Sequence, residues 1–229
     1  AGSDLSGPLT VFAAASLTDV FTELGDAFLA ENPDVDLTFN FGPSSGLSTQ
    51  LNEGAPADVF ASANTSQMDV VIDAGNAEGD PTIFVENVLQ IAVSAGNPAG
   101  ITGIADFANP DLTLAICAPE VPCGVAATTV FEAAGITPSV DSLEEDVRAA
   151  LTKVELGEVD AALVYVTDVI AAGDAVEGID FPETEEAVNA YPIVPLAAAQ
   201  NPDAAQAWVD FVLSEVGVAA LDEAGFRSP

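Results

Sequence analysis

Apolar and polar positions follow two alternating patterns along this chain. Short apolar runs or strict alternation with a period of two, as in residues 9–15 and 35–41, are typical of buried or half-buried strands. Between these segments apolar residues recur at helical spacing, as in residues 20–28, which Asn32 and Pro33 terminate. Strands that alternate with helices predict an α/β fold, in which helices cover the faces of a mainly parallel sheet.

The same criteria place the remaining elements. Strands are predicted at residues 9–15, 35–41, 58–62, 88–94, 112–117 and 161–166, with a connecting or edge strand at 188–196 that two prolines interrupt. Helices are predicted at residues 16–31, 47–52, 67–74, 125–134, 146–156, 203–213 and 216–224. The chain contains no long linker rich in Gly, Ser or Pro, so a second domain would be inserted into the first.

Composition narrows the classes of function. The 229 residues include 37 Asp and Glu against 3 Lys and Arg, a net charge of −34, while 49% hydrophobic residues supply a core. Nucleic acids and anionic membranes need clustered basic residues and are excluded as partners. The absence of histidine removes Ser-His-Asp and Cys-His catalysis and most zinc sites. Because the first residues lack signal-peptide features, we expect that a leader was removed or never existed. We also predict a flexible tether before Leu9.

Cys117 and Cys123 lie six positions apart and flank a loop that contains proline. This arrangement favours a short disulfide, which implies an oxidising, extracytoplasmic compartment. The alternative is a pair of reduced thiols in a cytosolic loop.

Three turns that join a strand to a helix carry the candidate chemistry. They contain Ser16, the pair Ser44 and Ser45, and the segment 122–124. A helix N-terminus presents unpaired N–H groups and partial positive charge, so it binds anions without a basic side chain. The alternative is that each serine only caps its own helix. Glycine-rich nucleotide loops are absent from the sequence.

Four segments, at residues 11–17, 54–63, 145–148 and 163–168, together resemble the molybdate/tungstate-binding protein family. These proteins are solute-binding components of ABC-type importers, and the resemblance extends from about Leu9 to Phe226. It implies a periplasmic-binding-protein fold of two α/β lobes that are joined by crossover strands and enclose the ligand. Lobe one would comprise residues 1–86 and 194–229, and lobe two residues 87–193.

The resemblance also assigns the site. The oxyanion contacts of the family fall on the hydroxyls of Ser16, Ser44 and Tyr165 and on the backbone N–H groups of Cys123 and Val147. Many relatives have Ala where this chain has Cys123, but a main-chain donor does not depend on that side chain. All five groups are neutral donors, which suits a fully deprotonated dianion and disfavours phosphate, whose proton requires an acceptor.

The implied function is an extracytoplasmic, monomeric receptor that closes by a hinge on molybdate or tungstate and delivers it to the membrane permease of an ABC importer, without a cofactor and without catalysis. The sequence leaves open whether a removed leader carried a lipid anchor. Arg148 and Lys153, two of the three basic residues, are expected near the entrance for the anion.

Three alternatives remain. One is a sulfate receptor of the same fold. Another is an acid–base enzyme that uses a carboxylate pair within residues 144–146 together with Tyr165, and the third is an acidic calcium-dependent surface protein, for which ligand-spaced carboxylates are missing.

Overall fold

A computed structural model describes residues 5–229, and it divides the chain into two compact units. Unit one comprises the chain up to Glu86 together with Ala190–Pro229, and unit two is Asn87–Asn189. The sequence placed the return boundary between residues 193 and 194, which falls inside a continuous strand, Asn189–Pro195. Of the predicted tether, residues 1–4 lie outside the described residues. Gly7 and Pro8 belong to the first strand and pair with Val35 and Asp36, so the prediction of a tether up to Leu9 is wrong for them.

Strands and helices alternate through most of the described residues. The strands are β1 (Gly7–Ala14), β2 (Val35–Gly42), β3 (Val59–Ala61), β4 (Thr82–Asn87), β5 (Leu89–Ser94), β6 (Leu114–Cys117), β7 (Ser142–Glu144), β8 (Ala161–Tyr165), β9 (Val176–Ile179) and β10 (Asn189–Pro195). The α-helices are α1 (Thr18–Glu31), α2 (Ser44–Asn52), α3 (Thr65–Asp73), α4 (Pro122–Ala134), α5 (Val147–Glu155), α6 (Val166–Ala172), α7 (Pro202–Val212) and α8 (Glu215–Glu223).

Unit one is a five-stranded sheet in the order β2-β1-β3-β10-β4. β1 runs parallel to β2 and to β3, with Ala14 opposite Gly42 and Ala13 opposite Ala61, so these three strands end at the same edge. Apolar residues cover both faces. Ala13 packs in a cluster with residues of α1, α7 and α8, whereas Phe12 points to the other face and packs with residues of α2 and α3.

A buried carboxylate joins segments of unit one that are distant in sequence. Asp58, just before β3, accepts hydrogen bonds from the backbone N–H groups of Thr10 at 2.7 Å, Gln200 at 2.6 Å and Asn201 at 3.0 Å. Three donors satisfy the charge of this buried side chain. Asp58 lies in one of the segments that carry the family resemblance, and its role in the structure is to hold the fold together.

Unit two is a second five-stranded sheet, in the order β7-β6-β8-β5-β9. β6 is parallel to β7 and β8, whereas β5 is antiparallel to both β8 and β9. The three parallel strands are each followed by a helix, α4 after β6, α5 after β7 and α6 after β8. The N-termini of α4, α5 and α6 therefore lie at the carboxyl edge of this sheet. The α/β prediction is confirmed in both units.

The sequence analysis missed four elements, β4, β7, β9 and α6. Of its two alternatives for β10, the connecting strand is confirmed, because β10 continues from unit two into unit one, and the edge strand is wrong. β7 and β9 have only three and four residues, too short to show a period. α6 follows β8 without an intervening turn, so one apolar run hides both. β10 is not an edge strand, since it lies between β3 and β4. Its Pro192 lacks an N–H but still accepts the Ser62 N–H at 3.0 Å, which permits an interior position.

Within residues 5–229, no individual helix has the length and apolar composition that crossing a membrane requires; α7 and α8 meet that criterion only as a pair, bent by 57°.

Candidate functional site

Ser16 and Ser44 lie at the same edge of the sheet of unit one. Each follows the end of its strand by two residues, and the last residues of these strands, Ala14 and Gly42, are directly opposite each other. The carboxyl edge of parallel strands is where α/β folds bind ligands. Both serines are buried.

Neither serine caps its own helix. Ser44 is the first residue of α2, whose N-cap is Pro43, and its Oγ accepts the backbone N–H of Ala63 at 3.0 Å. The Oγ of Ser16 lies 2.9 Å from the hydroxyl of Tyr191, in β10. Neither side chain makes a cap hydrogen bond, so the capping alternative is wrong for both, and each hydroxyl instead contacts a residue distant in sequence.

Cys123, Val147 and Tyr165 lie at the carboxyl edge of the sheet of unit two. Cys123 is the second residue of α4, Val147 is the first residue of α5, and Tyr165 ends β8 directly before α6. The strands that precede them, β6, β7 and β8, are parallel neighbours. These three residues, like Ser16 and Ser44, are between 1% and 4% exposed.

At the start of α5, some backbone N–H groups have an acceptor within the protein segment and one does not have an acceptor within the helix. The side chain of Asp146 accepts the N–H of Ala149 at 2.9 Å, and its carbonyl accepts the N–H of Ala150 at 3.3 Å. The N–H of Val147 precedes these and has no acceptor within the helix. A first-turn N–H of this kind carries part of the positive end of the helix dipole, which favours an anion. The N–H of Cys123, in the first turn of α4, has the same character.

The loop before α4 is closed by a disulfide between Cys117 and Cys123, with Cα atoms 5.7 Å apart. The predicted disulfide is confirmed. A Cβ added at Gly124 would lie 1.8 Å from the carbonyl oxygen of Ala118, so only glycine allows this close approach. The Ala118 N–H in turn donates to the carbonyl of Glu144 at 2.8 Å, which joins the loop to the end of β7.

Tyr165 is held at both its backbone and its hydroxyl. Its backbone N–H donates to Asp168 Oδ2 at 3.0 Å, and its hydroxyl oxygen accepts the side-chain amide of Asn189, Nδ2, at 3.0 Å. Asp168 is fully buried and lies 3.2 Å from Arg148 Nε, through its other oxygen. Asp168 therefore connects Tyr165 with the residue that follows Val147.

Carboxylates accompany both basic side chains of unit two. Arg148 is paired with Asp168, and Lys153 lies 3.6 Å from Glu144 and 3.4 Å from Glu158. Each of these two cations is therefore matched by acidic groups, and together they supply no excess of positive charge.

Two of the three carboxylates of residues 144–146 have structural partners. Glu144 accepts the hydroxyl of Ser142 and pairs with Lys153, while Asp146 caps α5. These contacts give Glu144 and Asp146 structural roles. Among residues 5–229, no group of three or more potential metal-ligating side chains comes together.

A cavity of about 270 Å³ lies in unit one, away from the two serines. Its lining consists of Leu51, residues 54–57, Asn76, Leu196, Ala198 and Gln200. Residues 54–57 precede β3, so the cavity is at the amino end of that strand, whereas Ser16 and Ser44 follow the carboxyl ends of β1 and β2. It contains no charged side chain and none of the predicted contact residues.

Sequence reasoning missed the residues that position the site hydroxyls, which are Ala63, Asn189 and Tyr191. One signal was available for two of them. Asn189 and Tyr191 are polar residues two positions apart in an otherwise apolar strand, which places them on one face.

Comparison with known proteins places the chain in a family. The model of the family described as bacterial extracellular solute-binding protein matches residues 9–227. The molybdate-binding protein ModA of Mycobacterium tuberculosis, strain H37Rv, is 44% identical over 221 residues, which cover 96% of this chain and 85% of that protein.

Solved structures agree on the fold. The periplasmic molybdate-binding protein of Azotobacter vinelandii has a TM-score of 0.83 at 18% identity and covers 96% of this chain and 99% of its own. The sulfate-binding protein SubI from M. tuberculosis H37Rv has a TM-score of 0.84 at 19% identity, covering 97% and 87%. These identities support the periplasmic-binding-protein fold alone. The sequence matches show that the chain belongs to the molybdate-binding protein (ModA) family of bacterial extracellular solute-binding proteins.

Proposed function

We propose that the chain is an extracytoplasmic receptor that binds molybdate or tungstate as the intact oxyanion and delivers it to the permease of an ABC importer. The observation that carries the proposal is the set of five buried donors, Ser16, Ser44, Cys123, Val147 and Tyr165, at the carboxyl edges of the two sheets. The proposal assigns both groups of donors to one ligand, as the family resemblance implies.

The chemistry of the donors suits a dianion without protons. Hydroxyls and backbone N–H groups donate to oxygen atoms, and helix N-termini add partial positive charge without a full cation. A monohydrogen phosphate brings a proton that needs an acceptor, and none of the five assigned groups is a carboxylate. We therefore expect phosphate to be rejected.

The identity and coverage of the M. tuberculosis relative, whose name is molybdate-binding protein, support molybdate over other oxyanions. A sulfate receptor is the second candidate, because the sulfate-binding protein SubI, with a TM-score of 0.84, shows that the same fold also occurs in a sulfate receptor. Because sulfate is also a proton-free tetrahedral dianion, the donor set alone does not separate the two. Discrimination would depend on the size of the ligand cavity.

The proposal includes no catalytic step and no cofactor, since the assigned groups bind and release an unchanged ion. It places the protein outside the cytoplasm, in agreement with the disulfide. It also treats the receptor as a monomer, with the importer permease as its protein partner.

Calorimetry of the purified chain with molybdate, tungstate, sulfate and phosphate tests the proposal. We expect one equivalent of molybdate or tungstate to bind, sulfate to bind at least about a hundredfold more weakly, and phosphate not to bind. At 100 times the dissociation constant, the ligand should stabilise the fold by about 2.7 kcal/mol in thermal unfolding. Sulfate binding as tight as that of molybdate would support the second candidate, and no binding of any of the four anions would refute both.

A further inference from the structure

We infer that Asn189 fixes the direction of the proton on the Tyr165 hydroxyl and so makes the receptor selective for oxyanions that carry no proton. The inference rests on the proposed function and deepens it. It adds a residue to which neither the sequence pattern nor the resemblance assigned a role.

The inference depends on the geometry of one buried hydrogen bond. Asn189 Nδ2 lies 3.0 Å from the hydroxyl oxygen of Tyr165, and both residues are buried. An amide nitrogen only donates, whereas a phenol can donate or accept. The tyrosine oxygen is therefore the acceptor in this pair, and its own hydrogen is directed away from Asn189.

Burial makes this direction costly to reverse. If Tyr165 turned its hydrogen toward the amide nitrogen, two donors would face each other in a buried environment, and one hydrogen bond would be lost without water to replace it. The amide thus stabilises the one orientation in which Tyr165 donates elsewhere.

Unit one contains a related arrangement. Ser44 Oγ accepts the backbone N–H of Ala63 at 3.0 Å, so its hydrogen too is directed away from its protein partner. Because that partner is a main-chain group, only proline at position 63 would remove it, and proline would also constrain the backbone. Asn189 is a side chain, so its substitution can test the direction in which the Tyr165 hydroxyl donates.

Replacing the amide by a carboxylate reverses the direction. In Asn189→Asp, the carboxylate accepts the Tyr165 hydrogen, and the tyrosine then turns a lone pair toward the ligand. A molybdate oxygen would meet this lone pair unfavourably, while a hydrogen phosphate could donate its proton to it. The molybdate-to-phosphate affinity ratio should therefore fall.

A double-mutant cycle separates this effect from the added charge. We expect Asn189→Asp to weaken molybdate binding about a hundredfold in the natural chain but less than about tenfold in a Tyr165→Phe background. Simple repulsion by the new carboxylate would act equally in both backgrounds. Asn109→Asp, at an exposed position in the same unit, adds the same charge and should change affinity less than twofold.

The affinity ratio gives a second readout, which a general loosening of the site would not change. We expect the molybdate-to-phosphate ratio to fall at least about tenfold in Asn189→Asp. It should also fall, by less, in Asn189→Leu, which keeps the shape and removes the donor, so the test survives if the aspartate variant does not fold. Equal losses of molybdate affinity in the two Tyr165 backgrounds, or unchanged ratios in both variants, would overturn the inference. Failure of the natural chain to bind molybdate would instead refute the proposed function.

Discussion

Three hydroxyl groups of the candidate site each contact a hydrogen-bonding partner inside the protein, in addition to the proposed ligand. Tyr165 accepts from Asn189, Ser44 accepts from the N–H of Ala63, and Ser16 contacts Tyr191. A hydroxyl can accept from the protein and still donate its single hydrogen to a ligand. For Tyr165 and Ser44, the protein supplies the donor and thereby orients the site hydroxyl.

Ser44 provides a test at the residue scale, because Ser45 is its matched control. We expect Ser44→Ala to weaken molybdate binding by about 1.5–3 kcal/mol, roughly tenfold to a hundredfold, since a charge-assisted hydrogen bond is removed. Ser45→Ala removes the neighbouring hydroxyl, which is only half-buried, and should leave affinity within about twofold. Calorimetry on both variants checks this, and equal effects would contradict the assignment of Ser44.

At the scale of elements, the first turns of α4 and α5 are held by contacts that are unrelated to a ligand. The carbonyl of Val121 accepts the N–H groups of Gly124 at 2.9 Å and Val125 at 3.0 Å, and Asp146 caps α5. The disulfide constrains the loop before α4, and a loop of this size contributes about 2 kcal/mol in the chain-entropy estimate. These contacts fix the positions of the backbone N–H groups of Cys123 and Val147, which are the proposed donors.

Gly124 tests this view. Gly124→Ala places a methyl group against the carbonyl of Ala118, so the first turn of α4 must move. We expect a loss of about 1–3 kcal/mol in the free energy of unfolding, measured with urea, together with weaker molybdate binding. Gly103→Ala is the control, since an added Cβ there meets no atom within 4 Å and the backbone is extended at φ 171°. If Gly124→Ala leaves both quantities unchanged, the close packing does not position the donor.

For the whole molecule, the dominant property is the net charge of −34. The structure pairs Arg148 and Lys153 with carboxylates, so these cations do not form an attractive patch. Under the proposed site assignment, binding of a dianion relies on neutral dipoles at short range. Carboxylates further away act through a field that salt screens, with a Debye length of about 10 Å at 0.1 M.

This charge predicts an unusual salt dependence. We expect the association rate of molybdate, measured by stopped flow, to rise as sodium chloride increases from about 0.01 M to about 0.1 M, because screening weakens the repulsion between receptor and anion. The test is the direction of the change in the association rate, and its magnitude is of less importance. A rate that falls over this range would mean that the positive helix ends govern capture, despite the net charge.

The periodicity of apolar residues and the composition of the chain determine most of its secondary structure and exclude several functions without reference to the structure. Apolar periodicity is local, so it identifies most strands and helices and places Ser16, Ser44 and Val147 near helix starts. The absence of histidine and the presence of only three basic residues exclude several classes of catalytic site and of partner by composition alone. The family resemblance adds the site residues, including Tyr165, which no pattern of spacing singles out.

Only the tertiary structure decides which partners orient these residues. Ser16 and Tyr191 are 175 positions apart, and Asn189 is 24 positions from Tyr165, so no local pattern connects either pair. The interior position of β10 depends on which strands pair with it, because its prolines by themselves favour an edge. Hydrogen bonds between distant segments form only when the sheets assemble, and they determine in which direction a buried hydroxyl donates.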